Sequence, residues 1–162
     1  MEKLWAPWRM EYILDSKESG DECIFCDLPR QKNDEQNYIV FRSKLSFVML
    51  NKFPYNNGHI MVIPYKHESD YTDLDQDILA DIQQLIQKSL IALKNCMEPH
   101  GYNVGLNLGR TAGAGIDAHL HYHIVPRWSG DTNFMPVISD TKVISESLEK
   151  SWQKLSREFE KL

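Results

Sequence analysis

The sequence predicts an α+β fold: a five-stranded antiparallel sheet with two main helices. Three observations predict it. Short β-branched and aromatic runs at Tyr38-Ile39-Val40-Phe41, Phe47-Val48-Met49-Leu50 and His59-Ile60-Met61-Val62-Ile63 follow one another with only polar turns between them. Apolar residues recur at helical spacing in two later segments. The resulting order, β-β-β-α-β-β-α, lacks the strand and helix alternation that a parallel, doubly wound sheet requires. With 162 residues and 42% hydrophobic content, one domain can bury a core without a metal or a disulfide.

The elements are justified in chain order. Asn56-Asn57-Gly58 is the clearest turn signal and separates the second strand from the third. Thr72 precedes a long amphipathic pattern, Leu74, Ile78, Ile82, Leu85, Ile86 and Leu93, which Pro99 and Gly101 terminate. Two further strands are expected at Tyr102 to Leu108 and Ala118 to Val125. A last helix carries Ile144, Leu148, Trp152, Leu155 and Phe159 on one face. No repeat, low-complexity tract or long linker divides the chain. Residues 1–162 read as one domain, with an N-terminal extension over about 1–20 and a C-terminal helix over about 141–162.

Composition narrows the function. A formal charge of -5 argues against a broad basic face for nucleic acid and leaves room for a small phosphorylated ligand. No stretch has the length of apolar sequence that a membrane span needs, and Met1-Glu2-Lys3-Leu4-Trp5 lacks a signal layout. A cytoplasmic location is expected. Three cysteines are present; Cys23-Ile24-Phe25-Cys26 has the spacing of a metal or redox pair in a reducing compartment, and Cys96 lies in a helical pattern as a small core residue.

Three of the six histidines occupy alternate positions in His119-Leu120-His121-Tyr122-His123. In a strand the side-chain period is two, so these imidazoles share one face and Leu120, Tyr122 and Ile124 share the other. Such a row serves as a solvated polar face, as a metal site, or as a nucleophile toward phosphorus, since neutral imidazole attacks phosphorus and is regenerated when the phospho-histidine is displaced. The preceding Gly105-Leu106-Asn107-Leu108-Gly109-Arg110-Thr111-Ala112-Gly113-Ala114-Gly115 is either a flexible turn or a nest of backbone amides for an anion.

These residues resemble the histidine-triad (HIT) superfamily of nucleotide-binding enzymes, whose signature His-φ-His-φ-His-φ-φ corresponds to His119 through Val125. Asn51 and the run from Gly58 to His67 are similar to the family's other block. Trp5-Ala6-Pro7-Trp8-Arg9-Met10, with Pro126-Arg127-Trp128-Ser129-Gly130-Asp131-Thr132-Asn133-Phe134, is similar to a bacterial diadenosine tetraphosphate phosphorylase branch. The resemblance implies that His121 is the nucleophile on the α-phosphorus, assisted by His123 and His59. It implies that Asn107 and the amides around Ala114 and Gly115 hold phosphate and that Asn51 serves the ribose. Trp128 would stack on a base or belong to the core or a dimer interface. The chain departs from many relatives in having Ala114-Gly115-Ile116 where they carry Gly-Gln-Ser/Thr, so oxyanion stabilisation there would rest on backbone amides.

Some relatives also use two cysteines and two histidines for zinc. Cys23, Cys26, His67 and His119 offer that set here, the alternative being a turn without metal. A closed four-ligand site would be structural. The expectation is therefore a homodimeric, cytoplasmic nucleotidyltransferase that binds neither nucleic acid nor membrane. It would cleave diadenosine tetraphosphate with phosphate to ADP and ATP through a nucleotidyl-histidine. A HIT hydrolase of dinucleoside polyphosphates or nucleoside phosphoramidates is the alternative, and a non-catalytic nucleotide-binding module a third.

Overall fold

A computed structural model of the chain describes residues 23–133, 135 and 143–162; the Trp5 to Met10 run and Phe134 lie outside them. In chain order the elements are α1 (Ile24–Asp27), β1 (Ile39–Arg42), β2 (Ser46–Leu50), β3 (Ile60–Pro64), α2 (Gln76–Met97), β4 (Gly101–Leu106), β5 (Tyr122–Arg127) and α3 (Leu148–Phe159). The five strands form one sheet in the order β1-β2-β3-β5-β4, with antiparallel pairing throughout. The expected α+β sheet is present. Among the described residues, no helix is long and apolar enough to cross a membrane.

Both sheet faces are covered in the middle, which explains why β2 and β3 are unbroken apolar runs without polar alternation. On one face, Val48, Leu50, Ile60 and Val62 pack with Ile82, Leu85 and Leu93 of α2 and with Leu155 and Phe159 of α3. On the other, Ile39, Phe47, Met49, Met61 and Ile63 are closed over by Phe25 of α1. The four-residue α1 is too short to leave a periodic signal, and the histidines share its side of the sheet.

Local chemistry sets the boundaries. Thr72 does not cap α2. It lies in a 3-10 turn at Tyr71–Asp73, where Asp70 accepts from the Thr72 backbone N–H, and α2 starts after Asp75. Its other end closes on Glu98, in the left-handed region at φ 47°. The Asn56-Asn57-Gly58 turn packs against that end: Gly58 has φ +69°, and a Cβ there would lie 2.5 Å from Sδ of Met97. The last helix begins at Leu148 rather than near residue 141, so Ile144 precedes it. Trp152 of α3 donates its indole N–H to the Ile39 carbonyl at 2.8 Å, beside the register shift between Ile39 and Phe41 in the β1–β2 ladder.

Two expected strands are shorter in the structure. β4 stops at Leu106 rather than Leu108 because its ladder ends opposite Tyr122. β5 begins at Tyr122 rather than Ala118, because the Leu120 N–H turns to the Glu68 carbonyl at 2.7 Å instead of joining the ladder. Side chains nevertheless keep alternating through this stretch. Leu120 and Ile124 enter the α2 core, while His119 and His121 lie against Phe25 on the opposite face.

Candidate functional site

His121 is 5% exposed. Its Nδ1 lies 2.8 Å from the carbonyl oxygen of His119. A carbonyl only accepts, so Nδ1 carries the proton and the neutral ring presents a lone pair at Nε2. Burial lowers the pKa of His121, against a smaller opposing effect of this hydrogen bond, and so favours the neutral, nucleophilic form. The His123 ring stands 4.9 Å away, centroid to centroid.

A second chain of hydrogen bonds fixes His123. The Tyr55 backbone N–H donates to Nδ1 of His59 at 3.1 Å, so the neutral His59 ring carries its proton on Nε2, which lies 3.0 Å from Nδ1 of His123. His123 therefore accepts at Nδ1 and holds its own proton at Nε2. His59 is fully buried, and burial, followed by the neighbouring His123 and His121, pushes its pKa down to about 3. A ring that stays neutral at physiological pH preserves this order of donors and acceptors.

His119 faces the other way along the row. Its Nε2 donates to the Pro64 carbonyl at 2.9 Å, which leaves the Nδ1 lone pair 3.2 Å from Sγ of Cys23 and 3.6 Å from Sγ of Cys26. Nδ1 of His67 is 3.3 Å from Sγ of Cys26. The four ligand atoms all lie within 4.8 Å of one another, close enough to surround one ion. Burial, chiefly, lowers the pKa of His119 to about 4 and raises that of the Cys26 thiol. A divalent cation would instead hold the sulfurs as thiolates. The sulfur and imidazole donors, with one ligand ring oriented from behind by a carbonyl, can bind a metal.

A cavity of about 620 Å³ opens beside His123, with Asn107 and Gly105 in its wall and Asn103, Arg127 and Thr132 farther along. The other residues named from sequence lie outside its lining. Asn51 follows β2, with its Oδ1 accepting from Phe53 N–H at 2.9 Å and its own N–H donating to the His59 carbonyl. Ala114 and Gly115 are half-buried in the loop before the triad, the Ala114 N–H lying 3.4 Å from the Gly109 carbonyl. Ile116 of that loop packs against the Phe25 core. Trp128 is half-buried just after β5, its N–H donating to Asp131. Thus His59, His121, His123 and Asn107 are brought together, and so are the four metal-ligand candidates, whereas Asn51, Ala114, Gly115 and Trp128 are not in the cavity wall.

Sequence reasoning missed Phe25, Tyr55, Asn103 and Arg127. Phe25 touches both His119 and His121, and Tyr55 lies over His59 and His123. Asn103 and Arg127 fall on the same faces of their strands as Gly105 and His123, so the period of two held a signal for them.

Comparison with known proteins agrees with this geometry. The HIT domain family model matches residues 32–130. An AP-4-A phosphorylase of Mycobacterium tuberculosis is 40% identical over 166 residues, covering 98% of this chain and 85% of that protein. A hypothetical histidine triad nucleotide-binding protein of Sulfolobus tokodaii shares the fold at a TM-score of 0.71 and 28% identity, over 86% of this chain and 93% of that one. A Zn-bound histidine triad family protein of Mycobacterium smegmatis, at 23% identity, has the same fold at a TM-score of 0.70, over 86% of this chain and 94% of that one. The antiparallel sheet and its row of imidazoles are those of a histidine-triad protein. This chain belongs to the HIT family, and it is an enzyme.

Proposed function

We propose that the protein is a dinucleoside polyphosphate phosphorylase that converts diadenosine tetraphosphate and phosphate to ADP and ATP. The observation that carries this reading is the 2.8 Å contact between Nδ1 of His121 and the His119 carbonyl, which leaves Nε2 as a nucleophile in a buried site. The 40% identity to an AP-4-A phosphorylase supports the choice of substrate and acceptor.

In this reading Nε2 of His121 forms a bond to the α-phosphorus as the bond from that phosphorus to the bridging oxygen breaks. ATP departs, and the Nε2 proton of His123 is placed to meet the departing oxygen. Inorganic phosphate then attacks the phosphorus of the nucleotidyl-histidine. The P–N bond breaks, ADP leaves with a β-phosphate taken from solution, and the imidazole is restored. His59 keeps His123 in the donating tautomer. Asn107 and the amides around Ala114 and Gly115 hold phosphate oxygens, Asn51 serves the ribose, and Trp128 the base.

Zinc belongs to the same reading as a structural ion held by Cys23, Cys26, His67 and His119; when bound it supplies cross-linking of α1 to the segment bearing His121. So do a homodimer, supported by the open sheet edge of β4 with Val104 46% exposed, and a cytoplasmic location. The reading is tested by quenching the enzyme during a single turnover without phosphate and mapping the peptide that contains His119 to His123. A base-stable, acid-labile adenylyl group on His121 is expected, and a single turnover that leaves no adduct on that peptide refutes the covalent route.

A further inference from the structure

The cavity beside His123 continues well past the reacting histidines. Along β5, His123, Val125 and Arg127 share one face, and their partners on β4 are Gly105, Asn103 and Gly101. Apart from Gly101, these two rows line a trough together with Tyr55, Asn56, Asp131 and Thr132. His123 and Arg127 are four residues apart on the strand, about 13 Å at ~3.3 Å per residue. Directly opposite His123 the floor is Gly105, where an added Cβ would meet nothing within 4 Å. The trough is therefore open at the end where a leaving group departs. Its middle is apolar at Val125.

The far end is polar but balanced in charge. Arg127 is bonded through Nε and Nη2 to Asp131, at 2.5 and 3.1 Å, and through Nη1 to Oδ1 of Asn103 at 2.8 Å. The Asp131 side chain is only 8% exposed and also accepts from Asn56 at 2.8 Å. A phosphate group arriving here would meet a guanidinium already neutralised by a carboxylate. What the end offers is neutral hydrogen bonding: the amide donors of Asn103, the hydroxyl of Thr132 and the fixed edge of Arg127. Those groups suit a sugar and a base, not an anion.

We infer that this trough is the subsite for the leaving nucleotide, with its polyphosphate running from His123 across Gly105 and Val125 and its nucleoside end held at Asn103, Arg127 and Thr132. The inference rests on the proposed function and deepens it by naming the residues that hold the leaving nucleoside. The second nucleoside contributes binding in its own right, so substrates with two nucleosides are preferred to those with one.

The test compares diadenosine tetraphosphate with adenosine 5′-tetraphosphate, which carries the same phosphate chain and lacks the second nucleoside. In the parent enzyme kcat/KM for the dinucleotide should exceed that for the mononucleotide at least tenfold. Asn103→Ala removes hydrogen bonds at the far end and should lower the ratio of the two kcat/KM values about tenfold. Gly105→Ile fills the open floor under the phosphate chain with a residue that strands accept readily; it should lower kcat/KM for both substrates about tenfold and leave their ratio within twofold of the parent. Circular dichroism should show both variants folded. Parent enzyme with equal kcat/KM for the two substrates overturns the subsite while leaving the histidine mechanism standing. An Asn103→Ala enzyme whose ratio stays within twofold of the parent, or a Gly105→Ile enzyme that keeps the parent's kcat/KM for both substrates, does the same. A parent that turns over neither substrate overturns the functional reading and the subsite together.

Discussion

His119 acts on two neighbours at once: its main-chain carbonyl accepts from Nδ1 of His121 at 2.8 Å, while its ring Nδ1 points to Sγ of Cys23 at 3.2 Å. A single residue thus joins the cysteine and histidine cluster to the ring that keeps its lone pair on Nε2. Its own ring is fixed from behind by the Pro64 carbonyl.

Replacing His121 by Asn keeps size and polarity but removes the nucleophile. Turnover should fall by at least about a thousandfold, as losses of a covalent catalyst commonly do, while nucleotide affinity measured by calorimetry changes little. Turnover within tenfold of the parent would contradict the assignment.

Metal content follows from the four-donor cluster. Protein purified without chelator should contain about one zinc per chain by elemental analysis, and Cys23→Ser should lower both zinc content and Tm. Because His119 spans the cluster and His121, the same variant should also lower kcat. Protein that never met a chelator and holds no metal would count against the site.

Stability should depend on pH through His59. Its pKa in the folded state is about 3, against 6.5 for the unperturbed group. Above pH 6.5 neither state binds the proton, and the group contributes nothing. Between 6.5 and 3 the unfolded chain takes up a proton that the folded chain refuses, so stability falls as pH falls, by about 1.4 kcal/mol per pH unit for that one proton. Denaturant titrations between pH 7 and pH 5 should therefore show a slope in the parent that is lower by about one proton in His59→Gln. Equal slopes would show that His59 is not held neutral by burial.

Gly58 occupies the left-handed region at φ +69° under the end of α2. Gly58→Ala should destabilise the fold by about 1–2 kcal/mol, the cost of placing a Cβ in that conformation. Flexible Met97 can move away from the new methyl, so the loss is mainly backbone strain. An unchanged Tm would contradict this account.

The fold was legible where one property of the chain decided the outcome. Apolar runs located β1 to β3, and helical spacing located α2, because burial on both faces or on one stripe leaves a direct pattern. The face shared by His119, His121 and His123 was legible from alternation alone. The alternation says where side chains point and not which backbone partners them, so it does not reveal the turn of Leu120 N–H to Glu68, and the expected strand starts four residues before the observed β5. Thr72 could have capped a helix as well as Asp75 by residue type; the choice was made by Asp70, whose carboxylate holds Thr72 in a 3-10 turn. The trough from His123 to Arg127 was hidden for a different reason. It is assembled from β4, β5 and two loops, and no local segment carries its shape.

The acceptor test bears most directly on the central claim. Diadenosine tetraphosphate is incubated with isotopically labelled inorganic phosphate, and the products are separated and analysed. Attack of phosphate on a nucleotidyl-His121 predicts equal amounts of ADP and ATP, with the label in the β-phosphate of ADP and none in ATP. AMP and ATP as products, with no label in any nucleotide and a rate that millimolar phosphate leaves unchanged, would contradict the phosphorylase reading and leave water as the acceptor.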